Sequence, residues 1–321
     1  MPIHTRPVFN LLALAACATA ASSAAQAVDN TRYVSINGSN ANPCTLAAPC
    51  RSLQTGINAT PTGGELRILD SGSYSNSATV NRSMTISGNG NTVFLDAAIV
   101  TVDAPDATVT LRDLTLNGQG TINDGIRMTA AATVHIERCV IHSFTNIGIL
   151  ATASAAGVQL FVIDSISRDN GDDGLNIVNA GASRLTVVNS RFDNNGSSGI
   201  FVSSGHASIH RSIASGNGFA GIQAQSASVS VVSTMAVQNG YAGFYVHHAG
   251  TMTVESSLAH GNDSDGLAVF NGAIARISNS TFTQNRHGIR SFSTVETRGN
   301  NTTRGNETDL SGNALIAIGG V

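Results

Sequence analysis

Residues 188–202 read VNSRFDNNGSSGIFV, and residues 210–224 read HRSIASGNGFAGIQA, so one pattern returns after 22 residues. Its marker is a Gly followed by an aliphatic or aromatic residue, and eight such pairs recur at the nearly constant intervals of 23, 26, 25, 22, 22, 23 and 22 residues. The pairs are Gly125-Ile126, Gly148-Ile149, Gly174-Leu175, Gly199-Ile200, Gly221-Ile222, Gly243-Phe244, Gly266-Leu267 and Gly288-Ile289. A fixed period in the twenties predicts a solenoid whose units bury their apolar faces against their neighbours.

A small side chain stands nine residues before most of these glycines, and a second column follows two residues later. The first column is Cys139, Ser165, Ser190, Ser212, Thr234, Ser257 and Ser280, and the second is Ile141, Ser167, Phe192, Ala214, Ala236, Ala259 and Phe282. Because alternate side chains of a strand share a face, this spacing predicts a strand with both columns directed into the core. Cys139 is therefore interpreted as a small buried residue rather than a reactive thiol.

An Asn lies four residues before most of the glycines. The column is Asn170, Asn195, Asn217, Asn239 and Asn262, with Asn285 three residues before its glycine. Asn tolerates the left-handed conformation, so the column predicts a turn. Stacked in register, these side chains can bond their copies above and below. A metal or sugar site built from the amides is the alternative, but such a site would need the residue in only one turn.

Two further strands complete each repeat. One runs on from the glycine, with Ile200 and Val202 as inward residues, and another is typified by Leu185 to Val188. The Gly, Asn and β-branched content excludes helices within the repeat. Three short strands per repeat predict an all-β protein, a parallel β-helix of about ten or eleven rungs.

The domain organisation follows from the extent of the pattern. Residues 28–321 are expected to form a single β-helix domain with regular rungs at 107–293 and an irregular C-terminal rung or cap at 294–321. A capping segment is expected at 30–62, where Arg51 to Ala59 predicts a short helix that covers the open N-terminal end of the stack.

The first 27 residues are interpreted as a signal peptide. Val8 to Ala16 is apolar, and Ala25-Gln26-Ala27 is a small-x-small cleavage site. In the alternative interpretation, Leu14 to Cys17 resembles a lipoprotein box that would place a lipid on Cys17. Both predict an exported protein that is secreted, periplasmic or at the cell surface. In such a chain Cys44 and Cys50 predict a disulfide, with two free thiols as the alternative.

Composition excludes two partner classes. Only 12% of the residues are charged, the net charge is −3, and no basic stripe appears, so no nucleic-acid partner is predicted. After residue 27 no apolar stretch reaches the length of a transmembrane helix.

The start YVSINGSNANPCTLAAPCRSLQTGIN and the rungs of pattern VxNSxFxxNxxxGI resemble the bacterial right-handed parallel β-helix repeat proteins of the pectin-lyase-like superfamily. The resemblance covers residues 30 to about 315 and implies the right-handed form of the fold. It implies less about activity, because this superfamily contains lyases, hydrolases, epimerases, adhesins and members with no assigned activity.

Any site must lie on residues that face away from the core. The outward column two residues after each glycine is Arg127, Leu150, Asn176, Phe201, Gln223, Tyr245, Ala268 and Arg290. Phe219 and Tyr241 lie just before it on neighbouring rungs, so Phe201, Phe219, Tyr241 and Tyr245 are predicted to form one exposed aromatic patch. With Asn176 and Gln223 they make a candidate glycan-binding site, in which rings cover sugar faces and amides bind hydroxyls. The alternative is that these are ordinary surface residues.

The candidate catalytic residues are the paired carboxylates Asp172 and Asp173, since two carboxyl groups can serve as acid and base in glycoside hydrolysis. Their string NGDDGLNI resembles the GDDC segment of polygalacturonase-type hydrolases, and residues 123–125 resemble the NTDG segment of that family. The rung between them carries no acid, and the family's His and Arg-x-Lys motifs are missing. Arg290 is the alternative base of a lyase, without an acidic calcium cluster nearby. A polar turn is the preferred interpretation.

The sequence therefore predicts an exported β-helix that binds a polysaccharide or cell-envelope glycan and is not an enzyme. The alternatives are a polysaccharide lyase or glycoside hydrolase with Asp172, Asp173 and Arg290, and a structural or adhesin-like rod. No cofactor and no metal site are predicted, because His247 and His248 lack a Cys or acid at ligand spacing. No particular oligomeric state is predicted.

Overall fold

The protein is a stack of short parallel strands in a computed structural model, which describes Met1 and residues 30–74, 77–94, 100–130, 132–152, 157–178 and 183–319. The predicted signal peptide beyond Met1, including Cys17, lies outside the described residues. Within them the chain has thirty-five strands and one helix, α1 (Leu53–Ala59).

The strands are short throughout. In chain order they are β1 (Thr31–Val34), β2 (Glu65–Ile68), β3 (Gly72–Ser73), β4 (Ala78–Val80), β5 (Met84–Ser87), β6 (Thr92–Phe94), β7 (Val100–Val102), β8 (Ala107–Arg112), β9 (Thr115–Asn117), β10 (Ile126–Met128), β11 (Ala132–Glu137), β12 (Val140–His142), β13 (Ile149–Ala151), β14 (Gln159–Ile163), β15 (Ile166–Arg168), β16 (Leu175–Ile177), β17 (Arg184–Val188) and β18 (Arg191–Asp193). They continue with β19 (Ile200–Val202), β20 (His206–His210), β21 (Ile213–Ser215), β22 (Ala220–Gln225), β23 (Ser228–Val232), β24 (Met235–Val237), β25 (Ala242–His247), β26 (Thr251–Glu255), β27 (Leu258–His260), β28 (Asp265–Val269), β29 (Ile274–Ser278), β30 (Thr281–Thr283), β31 (His287–Ser291), β32 (Thr294–Thr297), β33 (Thr302–Thr303), β34 (Thr308–Gly312) and β35 (Ile316–Ala317).

Three parallel sheets run along the stack. The first has thirteen strands in the order β1-β2-β5-β8-β11-β14-β17-β20-β23-β26-β29-β32-β35. The second has eleven, β3-β6-β9-β12-β15-β18-β21-β24-β27-β30-β33, and the third has eleven, β4-β7-β10-β13-β16-β19-β22-β25-β28-β31-β34. Each turn of the chain adds one strand to each sheet. The predicted all-β parallel β-helix with a short N-terminal helix is confirmed, with about ten turns.

The small-residue column lies in the core as predicted. Ser190 is 0% and Ser212 3% exposed, and the Ser212 Oγ accepts the backbone N–H of Ser190 at 3.2 Å. Cys139 occupies the same column, and burial raises the pKa of its thiol to about 12. The column therefore connects successive rungs, and Cys139 is an inert member of it.

The Asn column forms a continuous ladder of amides. Asn195 Nδ2 donates to Asn217 Oδ1 at 2.9 Å, and this bond repeats along the stack. The ladder members are Asn170, Asn195, Asn217, Asn239, Asn262, Asn285 and Asn306. The predicted stacking bonds are confirmed, but the assignment of the turn is corrected by one residue. Asn194 and Gln238, with φ of 54° and 55°, take the left-handed conformation, which leaves the following Asn free to direct its amide inward.

The recurring glycine is required by close approach between rungs. A Cβ on Gly221 would lie 2.7 Å from the carbonyl oxygen of Gly243 and 2.9 Å from the Cβ of Ala236. Its φ is not left-handed, so the constraint is space rather than backbone conformation.

The N-terminal end is covered by α1 and a disulfide. Ser52 caps the helix by accepting the N–H of Thr55, and Leu53 and Ile57 are buried. The predicted Cys44–Cys50 disulfide is confirmed, with 4.6 Å between the Cα atoms. None of the helical structure among the described residues is long and apolar enough to span a membrane.

Candidate functional site

The outward column of the third sheet has the predicted register. Strand pairing places Arg127, Leu150, Asn176, Phe201, Gln223, Tyr245, Ala268 and Arg290 opposite one another on successive rungs. Successive members are about 4.8 Å apart along the stack. The column is therefore a continuous surface on which separations can be counted in rungs.

Three rings of the predicted patch are in contact. Phe219 and Tyr241 lie on neighbouring rungs and stack with ring centroids 4.9 Å apart, held by a 2.7 Å bond from the Tyr241 N–H to the Phe219 carbonyl. Tyr245 meets both rings edge-on, at 5.7 and 5.4 Å. All three are half-buried, and burial raises the pKa of both phenols.

Two phenylalanines extend this cluster toward the C-terminal end. Phe270 lies 6.2 Å from Tyr245, and Phe292, which is 61% exposed, stacks on Phe270 at 5.7 Å. We call Phe219, Tyr241, Tyr245, Phe270 and Phe292 the aromatic strip. The last two were not predicted from the sequence. They lie four residues after Gly266 and Gly288, so the same alternation that marks the outward column would have found them.

Arg290 lies within the aromatic strip. Its Nη2 donates to the hydroxyl of Tyr241 at 2.9 Å and to Asp265 Oδ2 at 2.7 Å. Its guanidinium carbon lies 5.7 Å from the ring centroid of Tyr241 and 5.2 Å from that of Phe270. Asp265 is fully buried, and burial raises its pKa while Arg290 and His287 lower it. Arg290 thus fixes the rings by cation–π contacts and a charge-assisted bond.

Phe201 stands apart from the aromatic strip. It belongs to the same column as Tyr245, but Gln223 lies between them, so the two rings are two rungs or roughly 10 Å apart. Among the described residues, no ring contact joins Phe201 to the strip. The predicted patch is therefore divided into a contiguous cluster and one separate ring.

The two predicted amides are already engaged within the protein. Asn176 is 6% exposed and donates to Asp173 Oδ2 at 2.6 Å, whereas its Oδ1 has no hydrogen-bond partner. Gln223 Oε1 accepts from the Ser198 hydroxyl at 2.9 Å, and its Nε2 lies 3.0 Å from His247 Nε2. Gln223 is half-buried and borders the strip, while Asn176 is nearly closed to solvent.

The alternative catalytic residues do not come together. Asp173 is 3% exposed, and its Oδ1 accepts the Ser198 N–H at 2.8 Å; burial raises its pKa to about 6. Asp172, beside it, is half-buried. Arg290 lies five rungs from Asn176 in the column, roughly 24 Å away, too far for it and Asp173 to act on one bond.

Three buried acids share one column that the sequence analysis did not recognise. Asp124, Asp173 and Asp265 each directly precede a repeat glycine and are at most 3% exposed. Asp124 accepts from the Nε of Arg127 at 3.1 Å and from Asn146 at 2.8 Å. Each acid therefore satisfies its oxygens with neighbours on the outer face.

His247 and His248 lie beside the strip. The His247 ring is buried and stacks on Tyr245 at 4.4 Å, and its Nδ1 contacts that of His248. In the part of the chain that the structure describes, no group of three or more His, Cys, Asp or Glu residues is placed to hold a metal ion.

The family of the chain follows from its sequence. Residues 56–206 and 173–320 match the family described as "Right handed beta helix region". The chain belongs to the right-handed β-helix family. This agrees with the resemblance to pectin-lyase-like proteins and gives the hand of the solenoid.

Solved structures share the fold of this β-helix protein at low identity. The A-module of Azotobacter vinelandii mannuronan C-5 epimerase AlgE4 is 16% identical and aligns over 84% of this chain and 95% of its own, with a TM-score of 0.58. Pectate lyase Pel9A is 17% identical over 89% of this chain and 79% of its own, also with a TM-score of 0.58. No curated protein matches the sequence significantly.

Proposed function

We propose that this β-helix protein is exported and binds a glycan through the aromatic strip, without catalysing a reaction on it. The observation that carries the proposal is the contact of Phe219, Tyr241 and Tyr245 on neighbouring rungs, continued by Phe270 and Phe292. Five rings that are half-buried or exposed offer apolar area to the C–H groups of sugars, and the phenols offer hydrogen bonds.

The shape of the surface supports a long ligand. The strip lies on the outside of a sheet, whereas a cavity of about 420 Å³ lies at the C-terminal end between residues such as Ile277, Thr297 and Leu315. An open row of rings suits a chain that runs across several rungs better than an enclosed small molecule.

Two further observations support export and the ligand class. The Cys44–Cys50 disulfide is typical of proteins outside the cytoplasm, as is the predicted signal peptide. The mannuronan epimerase and the pectate lyase that share the fold are named for polysaccharides, which makes polysaccharides the first ligands to test.

The test is a glycan array with residues 28–321, which retain every strand of the stack. We expect binding by this polypeptide and its loss, by tenfold or more, in Phe219→Ala/Tyr245→Ala, because the central rings of a binding surface carry most of its energy. Phe161→Ala is the matched control, since Phe161 is a half-buried ring stacked on His135 at 4.7 Å on the first sheet. Equal binding by the double variant and the control would refute the role of the strip.

A catalytic function is the second candidate, and one observation favours it. The pKa of Asp173, raised to about 6 by burial, lies in the range of a proton donor near neutral pH. Release of reducing or unsaturated sugars by the purified protein, abolished in Asp173→Asn, would support a hydrolase or lyase. Absence of both binding and sugar release would leave the structural or adhesin-like rod.

A further inference from the structure

Both arginines of the third sheet have their charge neutralised within the protein. In the described strands of that sheet the basic residues other than His are Arg127 and Arg290, and the sequence contains no Lys. Arg127 pairs with Asp124 through Nε and Nη2, and Arg290 pairs with Asp265 at 2.7 Å. Both acids are fully buried, so each pair is a permanent part of the face rather than a surface ion pair that a ligand can displace.

The geometry of Arg290 also removes its means of binding a carboxylate. A guanidinium binds a carboxylate most strongly through two parallel hydrogen bonds from adjacent N–H groups. The Nη2 of Arg290 already donates to both Tyr241 and Asp265, and its Nε is buried without a partner. Both bidentate modes of a guanidinium use Nη2. Arg290 could therefore donate at most one hydrogen bond to a sugar carboxylate at the aromatic strip.

Acidic charge that no Arg neutralises also lies on this face. Asp173 makes its hydrogen bonds to Ser198 and Asn176, and Asp172 lies beside it without an Arg among their described contacts. Counting Asp124, Arg127, Asp172, Asp173, Asp265, Arg290 and the exposed pair of Arg286 and Glu307, whose charged atoms lie 3.9 Å apart, three positive charges face five negative ones. The face therefore repels a polyanion, weakly at physiological salt and more strongly at low ionic strength.

We propose that the glycan bound by the aromatic strip is uncharged, and that this face rejects polyuronates. The inference rests on the proposed function and narrows its ligand class. A polyuronate presents one carboxylate per sugar and needs cations along its path, whereas an uncharged hexose polymer needs ring faces and hydroxyl partners. The strip supplies the second set through its rings and the hydroxyls of Tyr241 and Tyr245, and the net negative charge of the face disfavours the first.

The experiment compares hexasaccharides of matched length on residues 28–321 by isothermal titration calorimetry. Cellohexaose, mannohexaose and N-acetylated chitohexaose are the neutral probes, and hexagalacturonate and hexamannuronate are the charged ones, each with calcium and with chelator. We expect at least one neutral probe to bind at least tenfold more tightly than either uronate, with an affinity that ionic strength does not change.

Asp265→Asn sharpens the comparison, because it keeps the shape of the side chain and removes the counter-charge of Arg290. The ratio of uronate to neutral affinity should rise about five- to tenfold at low salt and return toward the wild-type ratio at high salt. If this variant does not fold, the ionic-strength dependence of the wild-type protein gives the same test without a substitution.

The outcomes separate this inference from the proposed function. Tighter binding of a uronate than of every neutral probe, with or without calcium, would overturn the inference and leave glycan binding intact. No binding of any probe, together with a negative array, would overturn both. Neutral binding with an unchanged ratio in a folded Asp265→Asn protein would also count against the inference, because charge would then not set the selectivity.

Discussion

The inside and the outside of the same rungs follow opposite rules. Along the amide ladder the residue is Asn from Asn170 to Asn306, whereas the outward column changes from Arg127 to Phe201 to Tyr245 within a few rungs. An inward side chain must fit its own copies about 4.8 Å above and below, so the best neighbour for an amide is another amide. An outward side chain must fit only water or a ligand.

This difference teaches how to read a solenoid. Repetition from rung to rung reports packing, and departure from repetition on the outer face is where a ligand can be selected. The aromatic strip is such a departure, confined to rungs between Phe219 and Phe292. Breaking the ladder should therefore destabilise the protein, whereas altering the strip should mainly change binding.

The largest effect is expected at the centre of the ladder. Asn217 Oδ1 accepts from the side chain and backbone of Asn195, and its Nδ2 donates to Asn239 and to the carbonyl of Phe192. Asn217→Ala removes all four bonds and leaves buried partners unsatisfied, so we expect a loss of about 4 kcal/mol in the free energy of unfolding. Guanidinium unfolding followed by circular dichroism measures it.

The control uses the turn residue beside the ladder. Asn194 is exposed and left-handed, so Asn194→Gly should change the free energy of unfolding by less than about 1 kcal/mol. If Asn217→Ala lowered the free energy of unfolding by less than about 1 kcal/mol, the ladder's hydrogen bonds would contribute little to stability.

The fold could be predicted almost completely because its information is repeated. Eight Gly-hydrophobic pairs fix the period, and the Ser and Asn columns each report one position of the rung many times over. The error at the Asn turn shows the limit of this reasoning. Asn is favourable both in a left-handed turn and in an amide ladder. Only the structure shows that Asn194 takes the left-handed conformation and that Asn195 joins the ladder.

The site was less predictable because its residues occur once each. Spacing placed Phe219, Tyr241 and Tyr245 on neighbouring rungs, but it could not show that Phe201 lies too far along the column to join them. Nor could it show that Asn176 is bonded to Asp173, because burial on an outer face depends on what covers the side chain. Spacing correctly predicted which residues share a column. Which side chains contact one another across columns could be learned only from the structure.

Asp173 combines features of the inward and the outward residues, because it lies on the outer face and yet its side chain is buried. Its pKa is raised to about 6, above an unfolded value of about 3.9, so the native state holds its proton more tightly. The contribution of this group to stability is therefore fully present below about pH 4 and is lost as the pH rises through 6. At pH 7 the cost of its ionisation is about 3 kcal/mol.

Asp173→Asn should remove that cost and its pH dependence. An amide at residue 173 can still accept from Ser198, and its NH₂ can donate to the unpartnered Oδ1 of Asn176 after that side chain flips. We expect the variant to be more stable than wild type by about 3 kcal/mol at pH 7 and about equal to it at pH 4. Unfolding at both pH values measures the difference, and a constant difference would show that Asp173 does not titrate between them.

The smallest changes in stability are expected on the outer face, where binding provides the contrast. Tyr245→Ala and Phe201→Ala each remove a half-buried ring, and each should lower the free energy of unfolding by about 1 kcal/mol. Binding of the neutral hexasaccharides should separate them, with a loss of tenfold or more for Tyr245→Ala and a much smaller loss for Phe201→Ala. The reason is position, because Tyr245 contacts both Phe219 and Tyr241 whereas Phe201 lies two rungs away. Equal losses of affinity would show that the ligand also contacts Phe201, on the far side of Gln223. An unchanged affinity in Tyr245→Ala would show that the ligand does not bind at the aromatic strip.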